Sequence, residues 1–161
     1  MFFRGIKYVR AVMVIWAAIM GTAAGHEYQQ GDLVIAHPWS RATAPNAPNG
    51  VAYLAITNHG AEEDQLISVE AQVSDRTELH MHEMTDGVMR MRPVEGSIAL
   101  PAGETIVLEP SGLHIMLMGL DNRLVEGERF TLVLEFQNAG TVEVEASIES
   151  PGAVLDLHHN H

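Results

Sequence analysis

Alternation of apolar and polar residues runs through most of the chain from about residue 30 onward. It is clearest at residues 131–136 and 142–146, where every second side chain is apolar. A period of two places successive side chains on opposite faces of a β-strand, so each such segment is predicted to be a strand with one buried face. The predicted strands cover residues 33–39, 51–58, 65–71, 76–84, 88–94, 105–108, 114–118, 129–136 and 141–148.

Short clusters of turn-forming residues separate these segments. Examples are Asp86-Gly87, Pro110-Ser111-Gly112 and Asn138-Ala139-Gly140. No segment after the first 25 residues has the period of an amphipathic helix. Many short strands at this spacing are typical of an antiparallel sandwich or barrel. The pattern therefore predicts an all-β fold built as a Greek key.

The first 25 residues differ from the rest of the chain. Three basic residues precede an apolar run at 11–20, and small residues follow at 22–25. This order is typical of a secretory signal peptide, and the run is shorter than the ~20 residues that span a bilayer. We expect residues 1–25 to be removed, with cleavage after Ala24 or Gly25, and the protein to be periplasmic and free of the membrane. Residues 26–150 then form one domain, and residues 151–161 form a histidine-rich tail.

Charge narrows the range of partners. After residue 25 the chain has six arginines, no lysine and 21 acidic residues, which gives a formal charge of −15. Such a surface repels nucleic acid and anionic lipid, so we expect neither as a partner. The chain also has no cysteine, which excludes disulfides and a blue copper centre with its thiolate ligand. We expect a monomer whose core alone holds the fold together.

The most informative residues are methionines and histidines that recur at alternate positions. All six methionines after the leader lie between Met81 and Met118, and His80, His82 and His114 lie in the same window. Thioether sulfur and imidazole nitrogen together form a soft donor set, which selects Cu(I) over hard cations. Methionine also fills gaps in ordinary cores. Interleaved histidines favour the metal, because an unpartnered imidazole is costly in a core.

Strand pairing predicts which of these side chains share a face. Asp86-Gly87 is a strong hairpin signal between residues 76–84 and 88–94. A two-residue loop sets His82 opposite Met91, and a loop longer by two residues sets His80 opposite Met91. Either register places one set of donors on the same face: His80, His82, Met84, Met89 and Met91. The spacing does not prove that residues 114–118 meet this face.

The chain resembles the PCu(A)C family of periplasmic copper chaperones over roughly residues 34–148. The family pattern is a His, ten residues, a Met, some twenty-two residues and then His-x-Met. It is matched here by His80, Met91, His114 and Met116, with similar text at Leu100-Pro101-Ala102-Gly103 and around His114-Ile115-Met116. The resemblance implies a cupredoxin-like β-sandwich that binds one Cu(I) through those four side chains. It also implies delivery of copper to a Sco-type protein or to the CuA subunit of a respiratory oxidase.

Further histidines and methionines are candidates for auxiliary binding. They lie beside the four-residue pattern or at the two ends of the mature chain: His82, Met84, Met89, His26, His158, His159 and His161. Imidazoles suit Cu(II), so His26 and the tail histidines could hold a second, Cu(II) ion. A frayed terminus with incidental affinity explains them equally well.

Three classes of function remain open from the sequence. A copper carrier, which is not an enzyme, is the leading hypothesis. A periplasmic copper storage or resistance protein would bind the metal identically and lack a delivery partner. A cupin-type metalloenzyme is suggested by His80-x-His82-Glu83, but residues 84–87 interrupt the spacing that a cupin site needs.

Overall fold

The computed structural model describes residues 26–152. Eleven β-strands account for 65% of these residues, and no helix occurs among them. Consistent with this, the described part of the chain contains no helix long and apolar enough to cross a bilayer. The strands in chain order are β1 Glu27–Gln30, β2 Leu33–Arg41, β3 Asn49–Asn58, β4 Asp64–Ala71, β5 Ser74–Thr85, β6 Val88–Pro93, β7 Ile98–Leu100, β8 Thr105–Leu108, β9 Leu113–Leu120, β10 Arg129–Phe136 and β11 Gly140–Glu149.

One continuous sheet has the order β6-β5-β9-β3-β2-β11-β10-β4-β7, with β1 added on β2 and β8 added on β3. Neighbours in this order are mostly far apart in sequence, as in a Greek key. All pairings are antiparallel except β11 with β2, which run parallel over Ser147–Glu149 and residues 39–41. The predicted all-β, cupredoxin-like sandwich is confirmed.

The core lies inside this sheet because the sheet folds back on itself. Strand β4, near one end of the order, contacts β5, near the other end. Apolar side chains from both halves meet between them, and the largest fully buried ones include Ile35, Ile56, Ile115 and Leu134. Burying a side chain of this size contributes about 1.5–3 kcal/mol. The inward positions alternate along β10 and β11, as the sequence pattern predicts.

The predicted strands agree with the structure, and their ends differ by at most two residues. Two short strands were not predicted. Strand β1 has the sequence Glu-Tyr-Gln-Gln, which lacks apolar alternation, and β7 has only three residues. Both are positioned by their partners, β2 and β4, rather than by their own hydrophobic pattern.

Candidate metal centre

The hairpin of β5 and β6 forms through a two-residue turn. Asp86 and Gly87 both have positive φ, at 53° and 76°, which is the backbone of a type I′ turn. Gly tolerates this conformation without strain, and Asp is among the few other residues that adopt it readily. The resulting register pairs His82 with Met91 and Met84 with Met89. Of the two registers that the sequence left open, the structure has the shorter loop.

Strand β9 pairs with the other edge of β5 and brings the second donor segment to the first. His80 lies directly opposite His114, and Glu78 lies opposite Met116. The rings of His80 and His114 are arranged edge to face, with their centroids 6.0 Å apart and their planes at 61°. Since β6, β5 and β9 are adjacent, Met91, His80, His114 and Met116 lie on one face of three neighbouring strands. The two segments that the sequence alone could not join are therefore neighbours.

A carboxylate fixes the ring of His80. Its Nε2 atom lies 2.9 Å from Glu78 Oε2, and Glu78 Oε1 in turn accepts a hydrogen bond from Arg76 Nε at 3.1 Å. The hydrogen bond from His80, with the nearby Arg76 charge, lowers the pKa of Glu78, so this carboxylate is ionised and Nε2 carries the proton. The other nitrogen, Nδ1, is shielded from solvent and has no hydrogen-bond partner.

His114 is held in the same way by the backbone. Its Nδ1 donates to the carbonyl oxygen of Gly112 at 3.0 Å, which leaves Nε2 buried and without a partner. The residue is only 1% exposed. Burial lowers the pKa of His114, and the nearby His82 and His80 lower it further, against the opposing effect of the Gly112 carbonyl. The ring is therefore neutral at pH 7, with an in-plane lone pair on Nε2.

A third imidazole lies closer to this pair than the sequence pattern indicated. The ring of His82 stacks on that of His114, with centroids 5.0 Å apart and planes at 29°. Its Nδ1 is also shielded from solvent and unpartnered. Three histidines therefore each carry one shielded nitrogen without a hydrogen bond. Buried polar groups in proteins nearly always have partners, so such atoms call for a ligand.

The six methionines of the described residues lie in four places. Met91, Met89 and Met84 lie on the histidine face of the hairpin and are 45%, 54% and 61% exposed. Met116 is half-buried beside His114 on β9 and borders a groove of about 210 Å³ with Val51 and Arg41. Met118 lies farther along β9, where its sulfur is 3.5 Å from Arg76 Nη2. Met81 points to the other face of β5, as its parity predicts.

The remaining candidates lie away from this face or outside the described residues. His26 precedes β1, and the sheet order places β2 and β3 between that strand and β9. His158, His159 and His161 lie beyond residue 152, so their proposed role stays a prediction. Among residues 26–152, no group of three His, Cys, Asp or Glu side chains is arranged to hold a metal ion. A metal on this face would therefore need the thioethers as well.

Two positioning groups were not assigned from the sequence. Glu78 lies two residues before His80 on the same strand, so the alternation of side chains places both on one face. This spacing was the signal in the sequence that could have identified Glu78. Gly112 lies in a turn that the sequence did predict, but nothing in the pattern links its carbonyl to His114. Metal-binding histidines commonly form such a hydrogen bond through the ring nitrogen that does not bind the metal.

Comparisons with known proteins identify the family of the chain. The model of the family described as "Putative lipoprotein LpqE-like" matches residues 33–148. The "Putative lipoprotein Lxx21020" of Leifsonia xyli subsp. xyli (strain CTCB07) is 28% identical over 112 residues, which are 68% of this chain and 68% of that protein.

Solved structures give the same picture. The apo PCuAC domain from PmoF1 is 29% identical with a TM-score of 0.67, over 78% of this chain and all of that domain. The copper-bound PCuAC domain from PmoF2 is 27% identical, also with a TM-score of 0.67, over 78% and 99%. The Cu(I) form of DR1885 from Deinococcus radiodurans is 26% identical with a TM-score of 0.54, over 70% and 75%. The chain therefore belongs to the LpqE-like family, which is the PCu(A)C family that its sequence resembles.

Proposed function

We propose that this protein is a copper carrier that holds one Cu(I) between His80, Met91, His114 and Met116. The observation that carries the proposal is the pair of shielded, unpartnered nitrogens on facing rings, His80 Nδ1 and His114 Nε2. Each ring is held by a hydrogen bond at its other nitrogen, so each is oriented before any metal arrives. A pre-oriented pair of this kind lowers the entropy cost of binding.

The donor set decides which metal would bind. Two thioethers and two imidazoles make a soft site that favours Cu(I) over Mg²⁺, Ca²⁺ and other hard cations. Thioethers need no deprotonation, so they remain donors at any physiological pH. Two relatives support the choice of metal: the PmoF2 domain is described as copper-bound, and DR1885 as its Cu(I) form.

Release is as important to a carrier as binding. Met91 is 45% exposed at the edge of the sheet, and the β6 strand that carries it is exposed throughout. An acceptor could therefore displace this ligand without opening the core. We propose that the protein is exported after removal of residues 1–25, acts as a periplasmic monomer and is not an enzyme. The recipient would be a Sco-type protein or an oxidase CuA subunit.

A Cu(I) titration against a chromogenic Cu(I) chelator tests the binding proposal. The protein should withdraw Cu(I) from the chelator into a tight first site, and an excess of Zn²⁺ should not displace it. Equal competition by Zn²⁺ would contradict a site that contains thioethers.

Transfer separates delivery from storage. Cu(I)-loaded protein mixed with the apo form of a soluble CuA domain or Sco-type domain should lose its metal to the acceptor. Retention of the copper by the donor, with the acceptor competent to take Cu(I) from a small chelate, would favour a storage or resistance protein.

We also propose a weaker Cu(II) site formed by His26 and the tail histidines, on the basis of their donor type alone. Deletion of residues 156–161 should then lower Cu(II) binding and leave Cu(I) binding intact. An unchanged Cu(II) titration would exclude the tail as a ligand.

A further inference from the structure

The tip of the β5–β6 hairpin carries a second group of soft donors that the four-residue site does not use. Met84 and Met89 are direct cross-strand partners on the histidine face. Side chains at such positions have their Cβ atoms about 4.5–5.5 Å apart, so two flexible thioethers can reach one metal ion. Both are more than half exposed, at 61% and 54%. Val88, next to Met89 in the chain, is also more than half exposed, so the tip has several exposed apolar side chains close together, as ligand and partner sites do.

His82 links this pair to the rest of the face. It lies on the same face, two residues before Met84, which is about 7 Å along the strand. The Nδ1 atom of His82 is shielded from solvent and has no hydrogen-bond partner, so this nitrogen does not stabilise the fold through a hydrogen bond. The four-residue pattern of His80, Met91, His114 and Met116 leaves this nitrogen unexplained.

Stacking argues that His82 serves a different metal position from His114. A nitrogen lone pair lies in the plane of its ring. Because the two rings lie 5.0 Å apart and only 29° from parallel, their lone pairs lie in separate, nearly parallel planes. His80 and His114, at 61°, are inclined so that their lone pairs can converge. A copper ion between His80 and His114 therefore leaves the lone pair of His82 available.

The charges around the tip do not oppose a cation. Arg90 and Arg92 are the two basic residues of β6, and their parity places them on the reverse face. There Arg92 forms an ion pair with Glu83 at 3.0 Å. The strongly acidic chain as a whole attracts cations.

We propose that His82, Met84 and Met89 form a second Cu(I) site at the hairpin tip, more exposed than the first. This goes beyond the proposed function, because it adds a metal position to the carrier. With three donors and an open side, the tip site should be roughly tenfold weaker than the four-donor site, or more, which corresponds to about 1.4 kcal/mol. Its place at the accessible end of the donor row makes it the position at which Cu(I) enters or leaves.

The test is a Cu(I) titration of protein labelled with ¹³C at the methionine methyl groups. The first equivalent should move the Met91 and Met116 methyl signals, and the second should move those of Met84 and Met89. The M84L/M89L double variant keeps the apolar surface and removes both sulfurs. It should bind one Cu(I) with unchanged affinity. The matched control is Met81→Leu, an exposed methionine on the other face of the same strand, which should still bind two.

The possible outcomes are distinct. A second equivalent that M84L/M89L abolishes and Met81→Leu retains supports the tip site. Saturation of the unmodified protein at one Cu(I), with the Met84 and Met89 signals unmoved, overturns it and leaves the four-donor site standing. The two methionines would then be only an exposed contact surface. A second equivalent that survives in M84L/M89L also overturns the assignment. No Cu(I) binding at all would overturn the proposed function together with the tip site.

Discussion

Buried polar side chains at two places in residues 26–152 differ in how their hydrogen bonds are satisfied. Where β3 ends and β4 begins, Asn58 and Asp64 are 2% and 6% exposed. The Asn58 amide donates to the carbonyls of Glu62 and Leu100 and accepts from Gly60 N. The Asp64 carboxylate accepts three backbone N–H bonds, at 2.8–2.9 Å. These two residues hold loops together, and nothing about them calls for a ligand.

The histidine face is built differently. His80 and His114 each make one hydrogen bond that fixes the ring, and each keeps a second nitrogen shielded and unpartnered. Burial without a partner costs about 1–3 kcal/mol for each polar group. This cost is present at the histidine face, and the hydrogen bonds of Asn58 and Asp64 avoid it in the other region. The difference separates polar residues that stabilise the structure from the histidines that we propose as metal ligands.

The largest expected effect is on stability at the satisfied region. Asp64→Ala leaves three N–H groups, those of Gln65, Asn138 and Ala139, without their acceptor. We expect the free energy of unfolding to fall by about 3 kcal/mol, measured by urea denaturation. Cu(I) affinity should stay the same, because the site is on other strands. A loss of Cu(I) affinity in folded Asp64→Ala protein would mean that the two regions are not independent.

Removal of a proposed copper ligand should have the opposite effect: Cu(I) affinity should fall and stability should be little changed. Met91→Ala and His114→Ala should each lower Cu(I) affinity tenfold or more, about 1.4 kcal/mol for each decade, measured by chelator competition. The copper-free Met91→Ala protein should keep its stability, because Met91 is 45% exposed and lies outside the hydrophobic core. Unchanged Cu(I) affinity in either variant would remove that residue from the ligand set.

A smaller effect is expected from the group that orients His80. Glu78→Gln keeps the size of the side chain and weakens its hydrogen bond to Nε2, so His80 is held less firmly. The loss of Cu(I) affinity should be a few-fold, below the tenfold or more that removal of an orienting partner typically costs. Glu83→Gln is the matched control, since Glu83 lies on the reverse face of the same strand and pairs with Arg92. Equal losses in both variants would point to general electrostatics.

The smallest effect is expected at Met118. Its sulfur lies 3.5 Å from Arg76 Nη2, and its position on β9 is one step beyond Met116. Met118→Leu should change Cu(I) affinity by less than about twofold. A loss as large as that of Met91→Ala would show that the ligands are assigned to the wrong methionines.

Local signals in the sequence predicted much of the fold. The period of two located nine of the eleven strands, and the Asp86-Gly87 pair located the hairpin. The parity argument placed His80, His82 and Met91 on one face whichever loop formed, and the structure confirms it. These inferences succeed because they depend only on neighbours in the chain.

Local signals of this kind do not predict contacts between segments that are distant in the sequence. The pairing of β5 with β9 joins His80 to His114 across 34 positions of sequence, and its register follows from the whole sheet. The family resemblance, not the spacing, indicated that these histidines meet. The hydrogen bonds of Glu78 and Gly112 depend on side-chain rotamers that no pattern of apolar residues records. The stacking of His82 on His114 is a consequence of the same register.

The most direct test of the copper site is the X-ray absorption spectrum of the processed protein loaded with one equivalent of Cu(I). If His80, Met91, His114 and Met116 are the ligands, the first shell contains sulfur and nitrogen in equal numbers, and Met91→Ala reduces the sulfur contribution by half. A shell of nitrogen and oxygen alone would contradict the account, because the thioethers would then have no part in holding the metal.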